Sequence, residues 1–97
     1  MRVALLCPDL LFGSRVQEAL RAAGHEVVGS AEGADVVIVD LTAHPGFEPV
    51  AGRTIGFYPH VDVETRRRAE AAGYDLVVPR SRMAREAARL VEGLVAA

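Results

Sequence analysis

The sequence contains no lysine and no tryptophan, and its single cysteine, Cys7, cannot form an internal disulfide. It also lacks a long apolar run. Pro8 and Asp9 interrupt the N-terminal apolar run before it reaches the length of a signal peptide. The run is also much shorter than the roughly 18 apolar residues that a membrane span needs. The formal net charge is -2, so positive and negative charges are nearly balanced. The chain therefore has no overall positive field to attract nucleic acid. We therefore expect a soluble cytoplasmic protein that binds neither membrane nor nucleic acid.

The residues that are present suit one domain with a modest core. The chain has 97 residues, of which 51% are hydrophobic, and apolar runs of strand length alternate with helical patterns. Strands are expected at residues 2–7, 25–29, 35–41, 53–58 and 74–79, and helices at 14–24, 62–73 and 82–96. This alternation predicts an α/β fold with a five-stranded parallel sheet and helices on both faces.

Polar residues mark where the predicted helices begin. Ser14 and Gln17 form a capping box for the first helix, and Gly24 stops it. Asp62 and Ser81 are the expected N-caps of the two later helices.

Two connections between strands are too short for a full helical crossover. Only residues 30–34 join the second and third strands, and residues 42–52 join the third and fourth. A parallel crossover needs about a dozen residues or more. We therefore expect shortened helices after the second and third strands, with the first link reduced to a stretched segment or a single turn.

Three stretches resemble a known family in order and spacing. They are "ALRAAGHEVV" at 19–28, "ADVVIVDL" at 34–41 and "AAGYDLVVPRS" at 71–81. The pattern is similar to the receiver domain of two-component response regulators, over nearly the whole chain. The resemblance implies a flavodoxin-like sheet of order 2-1-3-4-5, with Asp40 at the phosphoacceptor position.

The chain departs from that family at the residues that handle phosphate. Receivers hold Mg²⁺ with an acidic pair at the end of the first strand, whereas this chain has Cys7 and Pro8 there and Asp9 one position late. Receivers also place a lysine after the fifth strand. This chain has Arg80, whose planar guanidinium binds oxyanions with a different geometry.

A further departure lies at the end of the fourth strand. Receivers carry a serine or threonine there, where this chain has Tyr58 and Pro59. Of the key residues of the family, only Asp40 remains in register. The resemblance therefore implies a degenerate receiver, or pseudo-receiver.

Parallel sheets place their ligand sites beyond the carboxyl ends of the strands, independently of any family. Residues expected near that edge are Cys7, Asp9, Asp40, Thr42, His44, Tyr58, His60, Arg80 and Ser81. Within this group, the candidates for a degenerate phosphoacceptor site are Asp40, Asp9, Thr42, Arg80 and Ser81. Asp9 and Asp40 are also weak candidate ligands for Mg²⁺, and no other cofactor is expected. An Asp at a strand end also has a purely structural role, because its carboxylate accepts local backbone hydrogen bonds.

Cys7 suggests an alternative from another class of protein. A cysteine that closes the first strand is similar to those of phosphocysteine enzymes such as transport-system IIB domains and small tyrosine phosphatases. However, Pro8 removes an amide that would cradle phosphate, and Arg15 follows Cys7 by eight positions rather than six. A buried apolar role for Cys7 is the competing interpretation.

Histidines offer a weaker alternative, a small-ligand or metal site. His44 and His60 could join Asp9 and Asp40 around a transition metal, although no short chelating spacing links them. Surface histidines in loops explain the same pattern.

Arginines concentrate on the last two predicted helices. Intervening glutamates at helical pairing distance make a solvated face the simplest interpretation. The receiver resemblance instead implies an interface through the last two helices and the fifth strand, where arginine is favoured. Candidate partner-face residues are Arg66, Arg67, Arg82, Arg85 and Arg89.

Taken together, these patterns lead us to expect a stand-alone, degenerate receiver-like signalling domain. It would bind a protein partner, or a second copy of itself, without catalysing a reaction. The alternatives are a functional receiver phosphorylated on Asp40, a phosphate-handling enzyme that uses Cys7 as nucleophile, and a small-ligand or metal-binding domain.

Overall fold

The computed structural model describes residues 1–50, 53–59 and 62–96. Its elements are β1 (Arg2–Leu6), α1 (Leu10–Ala22), β2 (Glu26–Val28), β3 (Val36–Asp40), β4 (Thr54–Tyr58), α2 (Val63–Ala72), β5 (Leu76–Pro79) and α3 (Arg80–Ala96). The strands form one sheet of order β2-β1-β3-β4-β5, in which every neighbouring pair is parallel. The predicted α/β fold and its flavodoxin-like order are confirmed.

The sheet buries a separate apolar cluster on each face, because successive side chains of a strand point to opposite sides. On one face Ile38 and Phe57 pack with α1 and α3, including Leu20 and Met83. On the other face the strand residues pack with Ala69 of α2 and with the segment that follows β3. The first face is therefore covered by two helices, and the second by one helix and the two segments that precede and follow β3.

Helix α1 begins four residues before the predicted start. Asp9 is its N-cap, with a carboxylate oxygen that accepts a hydrogen bond from the Phe12 amide at 3.1 Å. The predicted capping box of Ser14 and Gln17 is therefore wrong, since both residues lie inside the helix. As a result, the end of β1 and the start of α1 are separated by only residues 7–9.

The first short connection, residues 29–35, contains a single turn, as one form of the expectation had it, and the second contains turns where a shortened helix was expected. No helix occurs in residues 29–35 after β2, nor in the described residues 41–50 after β3. Each segment still crosses back over one face of the sheet to the next parallel strand. The second of them, residues 41–50, lies beside α2 and contributes to the second apolar cluster.

Gly56 allows that second connection to lie close against the sheet. A Cβ atom at residue 56 would be only 2.9, 3.0 and 3.1 Å from three side-chain carbons of Leu41. Leu41 is buried and immediately follows Asp40. The absence of a side chain at residue 56 therefore leaves room for the Leu41 side chain against β4, where the chain leaves β3.

Helix α3 follows β5 without an intervening loop, so it starts two residues before the predicted 82. Ser81, the predicted cap, lies inside its first turn. The helix is kinked at Glu86, whose φ of -127° is not helical. The buried stripe of Met83, Ala87 and Leu90 runs through the kink.

Asp62 caps α2 as predicted, since its carboxylate accepts a hydrogen bond from the Thr65 amide at 3.1 Å. Within the residues that the structure describes, the helices are too short or too polar to cross a membrane.

Candidate functional site

The carboxyl ends of the strands meet around a pocket of about 280 Å³. Four of the five predicted phosphoacceptor-site residues line it, namely Asp9, Asp40, Thr42 and Arg80. The remaining wall is formed by Pro8, Ala43, Phe57 and Pro59. The parallel strand order therefore brings residues that are far apart in the sequence to one edge of the sheet.

Asp40 is the most buried acid of this pocket, with 7% of its surface exposed at the end of β3. Its Oδ1 accepts hydrogen bonds from the amide of Thr42 at 3.0 Å and from the amide of Ala43 at 3.4 Å. These contacts close the turn that leaves the strand, as expected of an aspartate with a structural role. The other carboxylate oxygen, Oδ2, lies 3.9 Å from the sulfur of Cys7.

Arg80 and Asp9, which both line this pocket, form an ion pair. The Arg80 guanidinium also lies over the Phe12 ring, 4.3 Å from its centroid, and the Phe12 ring in turn packs against Phe57. The amide of Phe12 and then the side chain of Arg80 hold the pKa of Asp9 below its ordinary value. The acid that follows β1 is therefore ionised at neutral pH and already bound to a cation from the chain itself.

The Cys7 thiol lies partly buried just beyond β1. Its sulfur is 3.8 Å from the carbonyl oxygen of Asp9 and 3.9 Å from Oδ2 of Asp40, so both neighbours are acceptors. Burial raises the pKa of the Cys7 thiol, and the nearby carboxylates of Asp40 and Asp9 act in the same direction. The thiol is consequently protonated at neutral pH, which is unlike an activated nucleophile.

Cys7 should therefore react slowly with alkylating agents in the folded protein. We expect its reaction with iodoacetamide near pH 7.5 to be slower by roughly an order of magnitude or more than in the same protein unfolded in urea. Mass spectrometry of timed samples measures both rates on a single site, because the chain has one cysteine. Equal or faster labelling of the folded protein would indicate a reactive thiolate and favour the enzyme alternative.

The oxygen donors of the pocket do not fit Mg²⁺. Both carboxylate oxygens of Asp9 are engaged, one by the Phe12 amide and the other by Arg80. Oδ1 of Asp40 is engaged by the turn that follows β3. A hard cation of this kind needs a near-complete shell of oxygen ligands, several of them carboxylates or water. Among the described lining residues, the one remaining carboxylate oxygen is Oδ2 of Asp40, which faces the thiol of Cys7 at 3.9 Å and is a poor start for such a shell.

Other predicted site residues lie away from the pocket or outside the described residues. Ser81 is exposed in α3 and does not line the pocket, and Tyr58 packs on the opposite face of the sheet. His44 is exposed in the turn after β3, while His60 lies outside the described residues. Among residues 1–50, 53–59 and 62–96, no three His, Cys, Asp or Glu side chains are grouped closely enough to hold a metal ion.

Sequence reasoning missed two features of this site. It placed Asp9 and Arg80 at one edge without pairing them, and it overlooked Phe12 as the platform beneath the guanidinium. The role of Asp9 as the N-cap of α1 was detectable, because an aspartate before an apolar stretch is a standard helix start. The contact of Arg80 with Phe12 left no signal in the sequence pattern.

No protein-family model matches the chain, and no curated protein matches its sequence. Among solved structures, the chain is similar to a response regulator from Thermotoga maritima, with a TM-score of 0.73 and 15% sequence identity. The superposition covers 99% of this chain and 98% of that one. Over nearly its whole length, the chain therefore has a receiver-like, flavodoxin-like fold.

Proposed function

We propose that this protein is a receiver-like signalling domain that works by contact with another protein molecule, without phosphoryl transfer and without Mg²⁺. The fold it shares with a response regulator supports the general class. The proposal that it works without phosphoryl transfer and without Mg²⁺ rests on the ion pair between Arg80 and Asp9. In place of a metal held by an acidic pair, the site contains an arginine held by Asp9, the acid that follows β1.

The consequence for phosphoryl chemistry is electrostatic. Transfer of a phosphoryl group to Asp40 would bring a further anion close to the ionised carboxylate of Asp9. The charge that develops during transfer therefore needs a cation that is free to bind it. Arg80 is already neutralised by Asp9 and held over the Phe12 ring. We therefore propose that the protein keeps the fold of a receiver while Arg80, the one cation among the described residues that line the pocket, is already neutralised by Asp9.

Asp40 should accordingly remain unmodified when the protein is incubated with acetyl phosphate and Mg²⁺. Intact-mass spectrometry measures this directly, with a receiver that has a complete acidic pair and lysine treated in parallel as the positive control. Asp40→Asn is the matched variant. A phosphoryl adduct that forms on the wild-type chain and disappears in Asp40→Asn would overturn the proposal.

That adduct would support a second candidate function, a working receiver phosphorylated on Asp40. One observation favours it: among the described residues, Oδ2 of Asp40 accepts no backbone hydrogen bond, and Asp40 lines the same pocket as Thr42 and Arg80. An enzyme that uses Cys7 is less well supported, because burial raises the pKa of that thiol.

We propose that contact is made through the partner face, which consists of α2, β5 and α3. β5 is an edge strand of the sheet, and a groove of about 350 Å³ runs between it and α3. Leu76, Leu90 and Leu94 line this groove, and Arg82 and Arg89 stand at its sides. An apolar groove flanked by arginine is typical of a protein interface.

The charges of the partner face suit a second copy of the chain. Most of its arginines already pair with glutamates of the same helix, as between Arg66 and Glu70 at 3.5 Å. Arg67 and Arg85 are exposed and form no ion pair within the described residues. Because acids and bases are interspersed on one surface, a two-fold contact could place each of these arginines against an acid of the other subunit.

A further inference from the structure

A cavity of about 100 Å³ lies on the other side of the sheet, between the segment that follows β3 and helix α2. It shares no lining residue with the strand-end pocket. It occupies the place where a helix after β3 was expected and a turn is found. The residues that line it are Leu41, Pro45, Phe47, Thr65, Arg68, Ala69, Ala72 and Tyr74.

Tyr74 is a lining residue of this cavity whose hydroxyl has no hydrogen-bond partner among the described residues. The tyrosine is 9% exposed, and its hydroxyl is buried without a hydrogen bond to any described residue. Buried hydroxyls nearly always have a hydrogen-bond partner, since leaving one unpaired costs its full desolvation. Burial also raises the pKa of Tyr74, so the hydroxyl keeps its proton and acts as a donor.

The rest of the lining restricts what could accept that hydrogen bond. Leu41, Phe47 and Ala69 make most of the wall apolar. The Thr65 hydroxyl already donates to Asp62 at 2.6 Å. The Arg68 guanidinium at the rim is paired with Glu64 at 3.4 Å. The lining therefore offers no uncommitted cation, which favours a neutral occupant over an anion.

We propose that this cavity binds a small, neutral, largely apolar molecule with one oxygen that accepts a hydrogen bond from the Tyr74 hydroxyl. Apolar protein cavities of roughly 150 Å³ accommodate benzene. The cavity here is smaller, but the exposed Ala72 is among its lining residues, so we expect a phenol-sized ring to bind with one edge in solvent. Binding at this site does not depend on the proposed signalling role, in which the protein acts by contact with another protein molecule and without phosphoryl transfer.

Phenol and toluene are matched probes for the proposal, because they differ mainly in whether the ring carries an oxygen. We expect phenol to shift the backbone amide signals of Leu41, Ala69 and Ala72 saturably in ¹H–¹⁵N spectra. Toluene should bind the same residues more weakly, by roughly five- to tenfold. In Tyr74→Phe the affinity for phenol should fall to that for toluene, while toluene binding stays unchanged.

Two variants act as controls. Tyr58→Phe alters the other tyrosine on the same face of the sheet, which does not line the cavity, and should leave the binding of both probes unchanged. Ala72→Leu places a larger side chain at an exposed position of the mouth and should weaken both probes. Thermal unfolding of each variant shows that it is folded.

Several results would overturn the proposal. One is equal affinity of the wild-type protein for phenol and toluene, and another is unchanged phenol affinity in Tyr74→Phe. A third is a marked loss of stability in Tyr74→Phe without any phenol binding, since it would identify a buried water as the partner of the hydroxyl. Signals that shift without saturating, or only at other residues, would likewise exclude a site here.

Discussion

Gly56→Ala is expected to destabilise the fold by about 1–3 kcal/mol, the usual cost of overpacking a core. The added Cβ would lie 2.9 to 3.1 Å from three carbons of the buried Leu41, so that side chain has to turn away from β4. For a domain of this size, the melting temperature should fall by roughly 4–8 °C for each kcal/mol. Thermal and urea unfolding followed by circular dichroism measure the change.

Gly93→Ala is the matched control, because the same substitution there should have the opposite sign. A Cβ at residue 93 meets nothing within 4 Å, and the residue lies inside α3. Alanine in place of an interior helix glycine stabilises by about 0.5–1 kcal/mol. Unchanged stability in Gly56→Ala would contradict the close fit, and would mean that Leu41 can move into the neighbouring cavity at no cost.

The double variant Arg67→Glu, Arg85→Glu is expected to raise the Kd of the proposed homodimer by roughly 30-fold or more. Both side chains are exposed on the partner face. Because each subunit of a two-fold contact contributes the same residues, the double variant reverses four charges at the interface. The fold should be unaffected, because neither arginine makes an ion pair within the described residues and the bond from Arg85 to the Ser81 carbonyl is a long 3.4 Å. Light scattering coupled to gel filtration over a range of concentrations measures the mass.

Arg15→Glu with Arg21→Glu is the corresponding control, since it makes the same change in net charge on α1, which is not one of the three elements of the partner face. It should leave the association intact. If the wild-type protein is a monomer at high concentration, the homodimer is excluded. The partner face would then have to be tested against a different protein.

The sheet order was predictable because it depends on features that the sequence displays. Buried parallel strands show as continuous apolar runs, as at residues 36–39, and right-handed crossovers leave few ways to arrange five of them. The start of α1 was not predictable from periodicity. Leu10 and Leu11 are each 84% exposed, so two apolar residues of its first turn face solvent beside the buried Phe12, and the periodic pattern is not visible before Val16.

The candidate site was predictable in its location but not in its chemistry. The carboxyl ends of β1, β3 and β5 had to meet, which placed Asp9, Asp40 and Arg80 together. Whether Arg80 faces a phosphate or neutralises Asp9 depends on how α1 and α3 lie against each other. That depends on side-chain packing, including the Phe12 ring beneath the guanidinium, for which the sequence has no local signal.

The direct junction between β5 and α3 sets a limit on changes in chain length. Pro79 ends the strand and Arg80 begins the helix, with no residue between them to absorb an insertion. One added residue at this point would rotate every later helix position by about 100°. Arg80 would leave Asp9, and Met83 and Leu90 would turn out of the core together. Length variation is therefore far better tolerated in residues 29–35 and 41–50, where turns join the strands.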